Sequence, residues 1–189
     1  MNKSKLRKLC AGLFGTLAVI LTTSFATPVL AQDTDVPDDA ALSQEKDEVG
    51  QVTNLPVPRF VSMKASEGNV RRGPSLTHRI DWVFKHRDLP LRITAEHGHW
   101  RRVEDRDGMG GWVHYSLLSG TRTVLVEKDM LTLHARPDPA APVVAALELG
   151  VVARVSECNL EWCELRSGGF KGWAPKARLW GVQSGEVFD

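Results

Sequence analysis

The sequence predicts an all-β protein built from two tandem copies of one small module, and three observations carry that prediction. From Arg59 onward, short apolar runs are broken by Gly, Pro or Asp-Gly. Ile80, Trp82 and Phe84 alternate with Asp81, Val83 and Lys85, and Val151-Val152-Ala153-Arg154-Val155 is a β-rich run. No stretch keeps apolar residues at helical spacing over three turns, so period-two alternation is the main local signal. The two halves also match in order. Val70-Arg71-Arg72-Gly73-Pro74 corresponds to Ala135-Arg136-Pro137-Asp138-Pro139, Trp100 to Trp162, Gly111-Trp112-Val113 to Gly172-Trp173-Ala174, and Leu118-Ser119-Gly120 to Leu179-Trp180-Gly181. The offsets are 65, 62, 61 and 61. One such match would be weak; four in order make a repeat.

Composition sets the outer bounds. A chain of 189 residues, 42% hydrophobic and 25% charged, has an ordinary soluble composition and room for one medium domain or two small ones. A net charge of +1 gives no support to nucleic-acid binding, and three cysteines exclude a disulfide-dense scaffold.

The N-terminus reads as an address. Lys3, Lys5, Arg7 and Lys8 precede an apolar stretch from Leu9 to about Phe25, which ends in Pro28-Val29-Leu30-Ala31. These are the three parts of a secretory signal peptide over 1–31, with Val29 and Ala31 at the −3 and −1 positions and cleavage between Ala31 and Gln32. Gly12, Gly15, Thr16, Thr22, Thr23 and Ser24 make this stretch a poor permanent anchor, so no transmembrane segment is expected in the mature chain. Residues 32–58 carry seven acids against Lys46 alone and have no aromatic residue, so they read as a disordered acidic linker. The first module then covers 59–121, the second 122–182, and a C-terminal tail 183–189.

Within the modules, Trp112 and Trp173 follow a glycine in late strands and are expected in the core of a barrel too small to spare a large aromatic. The glycine before each marks a close backbone approach. Trp100 and Trp162 head strands in which Val103 and Leu165 take the opposite face, so one member of each pair should face outward, for ligand contact or packing between modules. Cys158 and Cys163 flank Asn159-Leu160-Glu161-Trp162. With Leu160 and Glu161 at a hairpin tip, the two cysteines face each other and can close a disulfide in an oxidising compartment. His97-Gly98-His99 is expected in a solvated hairpin turn, and Asp105-Arg106-Asp107-Gly108 in a turn rather than a calcium loop, because the later Glu ligand is missing. No metal site and no cofactor are expected. The first module is basic, eleven Lys/Arg against seven acids over 59–121, with clusters at Arg71-Arg72 and Arg101-Arg102-Arg106. Outside the cytoplasm, its anionic partner would be a wall carboxylate, a lipid headgroup or an acidic peptide, and the nearest acidic peptide is the chain's own linker.

These residues resemble a known family. Asn69-Val70-Arg71-Arg72-Gly73-Pro74-Ser75, Trp82-Val83, Leu89-Pro90-Leu91, Trp100-Arg101-Arg102-Val103 and Gly111-Trp112-Val113 look like a bacterial SH3-like (SH3b) domain. The whole is similar to secreted tandem SH3-like proteins of Gram-negative bacteria, which have a signal peptide, two copies and a cysteine pair flanking the second copy's Trp. The likeness covers about residues 59–182. The second copy departs from it, with Asp138 read in place of the turn Gly and Ala135 in place of the apolar Val. The resemblance implies two small SH3-like barrels and a ligand such as a peptidoglycan stem or partner peptide, held in an aromatic-edged groove. Arg71, Trp82, Trp100 and Tyr115 are the candidate contacts. Tyr115 is the sole Tyr, so the Tyr-rich groove by which eukaryotic SH3 domains read proline-rich helices is not carried over.

The sequence has no Gly-x-Ser-x-Gly, no His-Glu-x-x-His and no phosphate-cradling glycine loop, so no enzyme is expected. The reading is an exported, non-enzymatic binding module in the periplasm or outside the cell, recognising peptidoglycan or a wall-associated peptide. The alternative is an adaptor for another envelope protein. A metal or redox chaperone using the histidines and the cysteine pair stands third.

Overall fold

The computed structural model describes residues 48–189. The expected signal peptide and cleavage site and residues 32–47 of the acidic segment lie outside the described residues. Residues 48–58, the end of that segment, form a small hairpin of β1 (Glu48–Val49) and β2 (Pro56–Val57), with Glu48 opposite Val57. Composition alone cannot give this, because the hairpin's partners come from Glu96, far along the chain.

The first module runs β3 (Arg59–Met63), β4 (Gly68–Arg71), β5 (Ile80–Phe84), β6 (Pro90–His97), β7 (Trp100–Glu104), β8 (Gly110–His114), a 3₁₀ turn at Tyr115–Leu117, and β9 (Leu118–Ser119). The second repeats it: β10 (Thr123–Val126), β11 (Leu131–His134), β12 (Val143–Leu147), β13 (Val152–Cys158), β14 (Trp162–Ser167), β15 (Phe170–Pro175), a 3₁₀ turn at Lys176–Arg178, and β16 (Leu179–Trp180). The strand order is β5-β4-β8-β7-β6-β3-β9 in one seven-stranded sheet and β12-β11-β15-β14-β13-β10-β16 in the other, the same topology twice. Both hairpins after the third strand also break register at the same place, between Ile93 and Ala95 in β6 and between Val155 and Glu157 in β13. A bulge sharpens the local twist and lets a short sheet bend around its own core. Those cores are Met63, Val70, Leu91, Ile93, Val103 and Val113 in the first module, and a larger set including Val124, Leu133, Ala153, Leu165 and Ala174 in the second. The fold is all-β, two tandem SH3-like modules, and no helix of the described residues is long and apolar enough to cross a membrane.

Register corrects the sequence alignment of the copies. Arg71 pairs with Trp112, and it is His134, not Arg136, that pairs with Trp173. The following loops agree hydrogen bond by hydrogen bond at one spacing. The Arg72 amide donates to the Arg79 carbonyl and Ala135 to Pro142; Ser75 donates to Gly73 and Asp138 to Arg136; His78 donates to Ser75 and Ala141 to Asp138. The true offset in this loop is therefore 63. Asp138 stands opposite Ser75 rather than replacing the turn Gly, Arg136 stands opposite Gly73, and Leu133 is the counterpart of Val70. The second copy departs less than its sequence suggested.

The tryptophans also differ from expectation. Trp112 and Trp173 are half-buried on the outer face, while Val113 and Ala174, one residue on, are fully buried and fill the core. Strand alternation decides this, since the residue after the glycine and the one after that must take opposite faces. The glycines do mark close approach: a Cβ on Gly111 would sit 2.6 Å from the Arg71 carbonyl oxygen, and one on Gly172 3.0 Å from that of His134. In the first pair Trp100 is half-buried over a buried Val103, but in the second both Trp162 and Leu165 are buried, so neither member faces outward.

The junction is packed by other residues. Thr123 Oγ1 donates to the Asp88 carbonyl (2.8 Å), Arg154 pairs with the Asp88 carboxylate (3.1 Å) and Arg106 with Glu127 (3.0 Å). Phe60 meets Trp180 edge-on, with ring centroids 5.2 Å apart, and Gln183 donates to the Pro58 carbonyl.

Candidate functional site

The β6–β7 hairpin brings an aromatic cluster together on the first module. Gly98, at φ +50°, makes the turn between His97 and Trp100. Trp100 then lies directly across from His114 on β8, edge-on at 5.5 Å between centroids. His114 lies 4.9 Å from the Tyr115 ring, and His99 reaches the same Tyr at 5.6 Å. His114 Nδ1 is 2.7 Å from Ser116 Oγ, a contact that fixes the imidazole plane. The opposite wall is Pro74, Ser75 and Leu76 of the β4–β5 loop, and between the walls runs an open groove of about 660 Å³.

Arg71 holds that wall from behind. Its guanidinium donates to the carbonyls of Leu76 (2.9 Å) and His78 (2.7 Å). In the second module His134 does the equivalent, with Nδ1 2.9 Å from the Ala141 carbonyl. Of the four candidate contacts, Trp100 and Tyr115 belong to the aromatic cluster, and Arg71 shapes the loop facing it. Trp82 stands apart on the edge strand β5, paired with Val70 and 45% exposed. The basic clusters do not form one surface. Arg72 pairs with Asp81, and Arg101 is buried against Glu96. His99, which the sequence placed in a solvated turn, is a groove residue, and so are His114 and Leu76, to which the sequence reading gave no role. The register joining β7 to β8 places His114 beside Trp100, and the β4–β5 loop brings Leu76.

Behind the same hairpin, Glu96 ties down the N-terminal β-pair. Its side chain is fully buried. It accepts from the amides of Val52 (3.0 Å) and Thr53 (2.8 Å), from Thr53 Oγ1 (2.7 Å) and from Arg59 (2.6 Å), with Arg101 at 3.4 Å. Burial alone would raise its pKa, but the hydrogen bonds from Thr53 and Arg59 outweigh it and hold the carboxyl at about 2. In the second module the Cys158–Cys163 disulfide joins β13 to β14, with Cα atoms 4.1 Å apart. Among the described residues, no group of three or more His, Cys, Asp or Glu side chains is placed to hold a metal ion.

The model of the bacterial SH3 domain family matches the chain twice, over residues 64–120 and 127–181. The chain belongs to the bacterial SH3 domain family. The two matches fall on the two seven-stranded sheets, so each copy is one bacterial SH3 domain. No curated protein matches the chain. Among solved structures it is similar to NlpC2 from Trichomonas vaginalis, at 11% identity and a TM-score of 0.32, covering 65% of this chain and 48% of that one. It is also similar to NlpC1 of the same organism, at 10% identity and TM-score 0.32, covering 69% and 48%. The chain spans about half the length of each.

Proposed function

We propose that the protein is a non-enzymatic binding module, exported to the cell envelope, whose first bacterial SH3 domain holds peptidoglycan or a wall-associated peptide in the groove beside Trp100. The observation that carries this reading is the difference between equivalent positions in the two domains. His99, Trp100, His114 and Tyr115 correspond to Glu161, Trp162, Pro175 and Lys176. The first set leaves an aromatic-lined groove facing solvent. In the second, Trp162 is buried and Lys176 is bonded to the chain's own tail. Half-exposed rings beside a shaped wall give stacking area at little ordering cost, which suits a sugar or an extended peptide. A cross-strand disulfide fits an oxidising compartment.

The test is co-sedimentation of the protein with purified peptidoglycan sacculi across a salt series, beside Trp100→Ala. Pelleting that Trp100→Ala weakens about tenfold or more is the expected result, in line with the loss of one stacking anchor. No pelleting of the wild-type protein at low salt would sink the wall-binding reading. The adaptor alternative draws on a separate observation: the edge strand β5 exposes Ile80, Trp82 and Val83 side by side. An unpaired strand edge with apolar side chains is a surface to which another protein can add a strand. Binding to an envelope protein that Trp82→Ala abolishes and Trp100→Ala spares would favour it.

A further inference from the structure

The second domain does not end at β16. Beyond Gly181, residues 182–188 lie back along it: the chain turns at Ser184-Gly185, where the Glu186 amide donates to the Gln183 carbonyl, and then runs on to Phe188. Phe188 exchanges both backbone hydrogen bonds with Cys158, at 2.7 and 3.1 Å, and its ring lies 5.0 Å beneath the Arg122 guanidinium. Glu186 takes the Arg122 guanidinium on both carboxylate oxygens. Lys176 Nζ donates to the carbonyls of Ser184 and Glu186. Four positions frame the tail: 158, 122 and 176 bond it, and 181, whose carbonyl accepts from Arg122, is where it leaves the domain.

By register, the same four positions in the first domain are Glu96, Arg59, Tyr115 and Gly120. There the chain does not fold back. It runs on past Gly120 into β10; residues 50–58 dock on Glu96 and Arg59 from the N-terminal side, and between them and the edge at Tyr115 and Gly120 a groove of about 520 Å³ stands open, with Leu55, Pro56 and Pro58 in its lining. Its floor is apolar, formed by Phe60, Val61, Ile93 and Leu118, with Tyr115 and Gly120 at the edge. Its far wall is Arg122 with Gln183 and Glu186. The surrounding charge is uneven, three guanidiniums (Arg59, Arg101, Arg122) against the two carboxylates Glu96 and Glu186, and the buried Arg122 Nε has no hydrogen-bond partner among the described residues. An anionic, extended guest would correct the charge and fill the floor.

We propose that this junction groove binds an extended peptide of a partner protein, carrying a carboxylate one or two residues from an apolar side chain, the chemistry that Glu186-Val187-Phe188 presents to the second domain. The apolar side chain lies on Phe60 and Leu118. The carboxylate faces the arginines. Tyr115, standing where Lys176 meets the tail carbonyls, supplies a hydroxyl donor to the guest's backbone. The site is separate from the groove beside Trp100, with Tyr115 near both.

The test is calorimetric titration of the full chain with a free peptide of the sequence of residues 182–189. Saturable one-to-one binding is expected, weakened about tenfold when the peptide's Glu is replaced by Gln, the scale of one charge-assisted hydrogen bond. Gly120→Leu should abolish it. A Cβ at Gly120 meets nothing within 4 Å among the described residues, so this variant is expected to fold and melt like the wild type while filling the groove. Absence of binding overturns the proposal, as does binding that survives Gly120→Leu, which is what exchange with the tail of the second domain would give. Binding that appears only after residues 32–47 are deleted would make the chain's own acidic segment the occupant. Dimerisation abolished by Gly120→Leu would make it the tail of a second copy. Either of these also overturns it.

Discussion

At one position in the repeat the two domains solve the same problem with different chemistry. Where β6 meets β7, the first places Glu96 across from Arg101; where β13 meets β14, the second places Cys158 across from Cys163. Each link clamps a hairpin, and each has a further segment of chain docked on it: residues 50–55 on Glu96, Phe188 on Cys158. The ion pair is useful because a carboxylate has several acceptor sites, so one side chain can organise two arginines and two backbone amides. The disulfide joins two atoms only, and its docked strand must use backbone bonds instead.

That difference can be broken first at Glu96. Glu96→Ala leaves two guanidiniums without their acid and two amides without an acceptor, and should cost roughly 3–5 kcal/mol in denaturant-induced unfolding. The milder Glu96→Gln separates charge from shape through pH. The carboxyl stands at about 2 when folded against 4.5 for an unperturbed Glu. Its ionised form is therefore the one the fold favours, so its contribution is complete above pH ~5 and disappears as pH falls toward 2. Glu96→Gln should flatten that part of the stability profile, and an unchanged acid slope would mean the carboxylate is not the clamp.

Replacing both cysteines by serine should have the next largest effect, about 2 kcal/mol for so short a loop. It should carry no new pH window, and wild-type protein under reductant should unfold at the midpoint of the double variant. A loss as large as that of Glu96→Ala would make the two clamps equal, against the comparison. The smallest expected effect lies in the loop clamps. Arg71→Ala removes two hydrogen bonds to carbonyls at a partly exposed site, worth about 1–2 kcal/mol, and should speed hydrogen exchange at the Arg72 and His78 amides without touching their counterparts Ala135 and Ala141. Equal acceleration in both loops would show that the clamp is not local.

Much of this architecture was readable in one dimension because short-range rules produce it. Alternation gave the strands, the tip Leu160-Glu161 aligned the cysteines, and Gly111 and Gly172 announced tight backbone crossings. What escaped had long-range causes. Arg71 and Arg136 look alike, and chemical likeness drew them together, whereas the loop's hydrogen bonds place His134 opposite Arg71. Residues 48–58 end a segment, 32–58, that is acidic as a whole and lacks aromatics; their order is supplied by Glu96 and Arg59, which no local composition can report. The grouping of His99 and His114 about Trp100 arises from two strands lying side by side, so candidates chosen by residue type found Trp100 and Tyr115 but not their imidazole neighbours.

The junction has a thermodynamic consequence. Phe60 leans on Trp180, Thr123 bonds to Asp88, and Gln183 reaches Pro58, so each copy completes its surface with atoms of the other. The repeated unit and the unit that melts are then expected to differ: two copies in sequence, one cooperative transition in calorimetry. Free energy put into either end by a guest is felt at both, and an isolated copy would face water with a side that was never a surface.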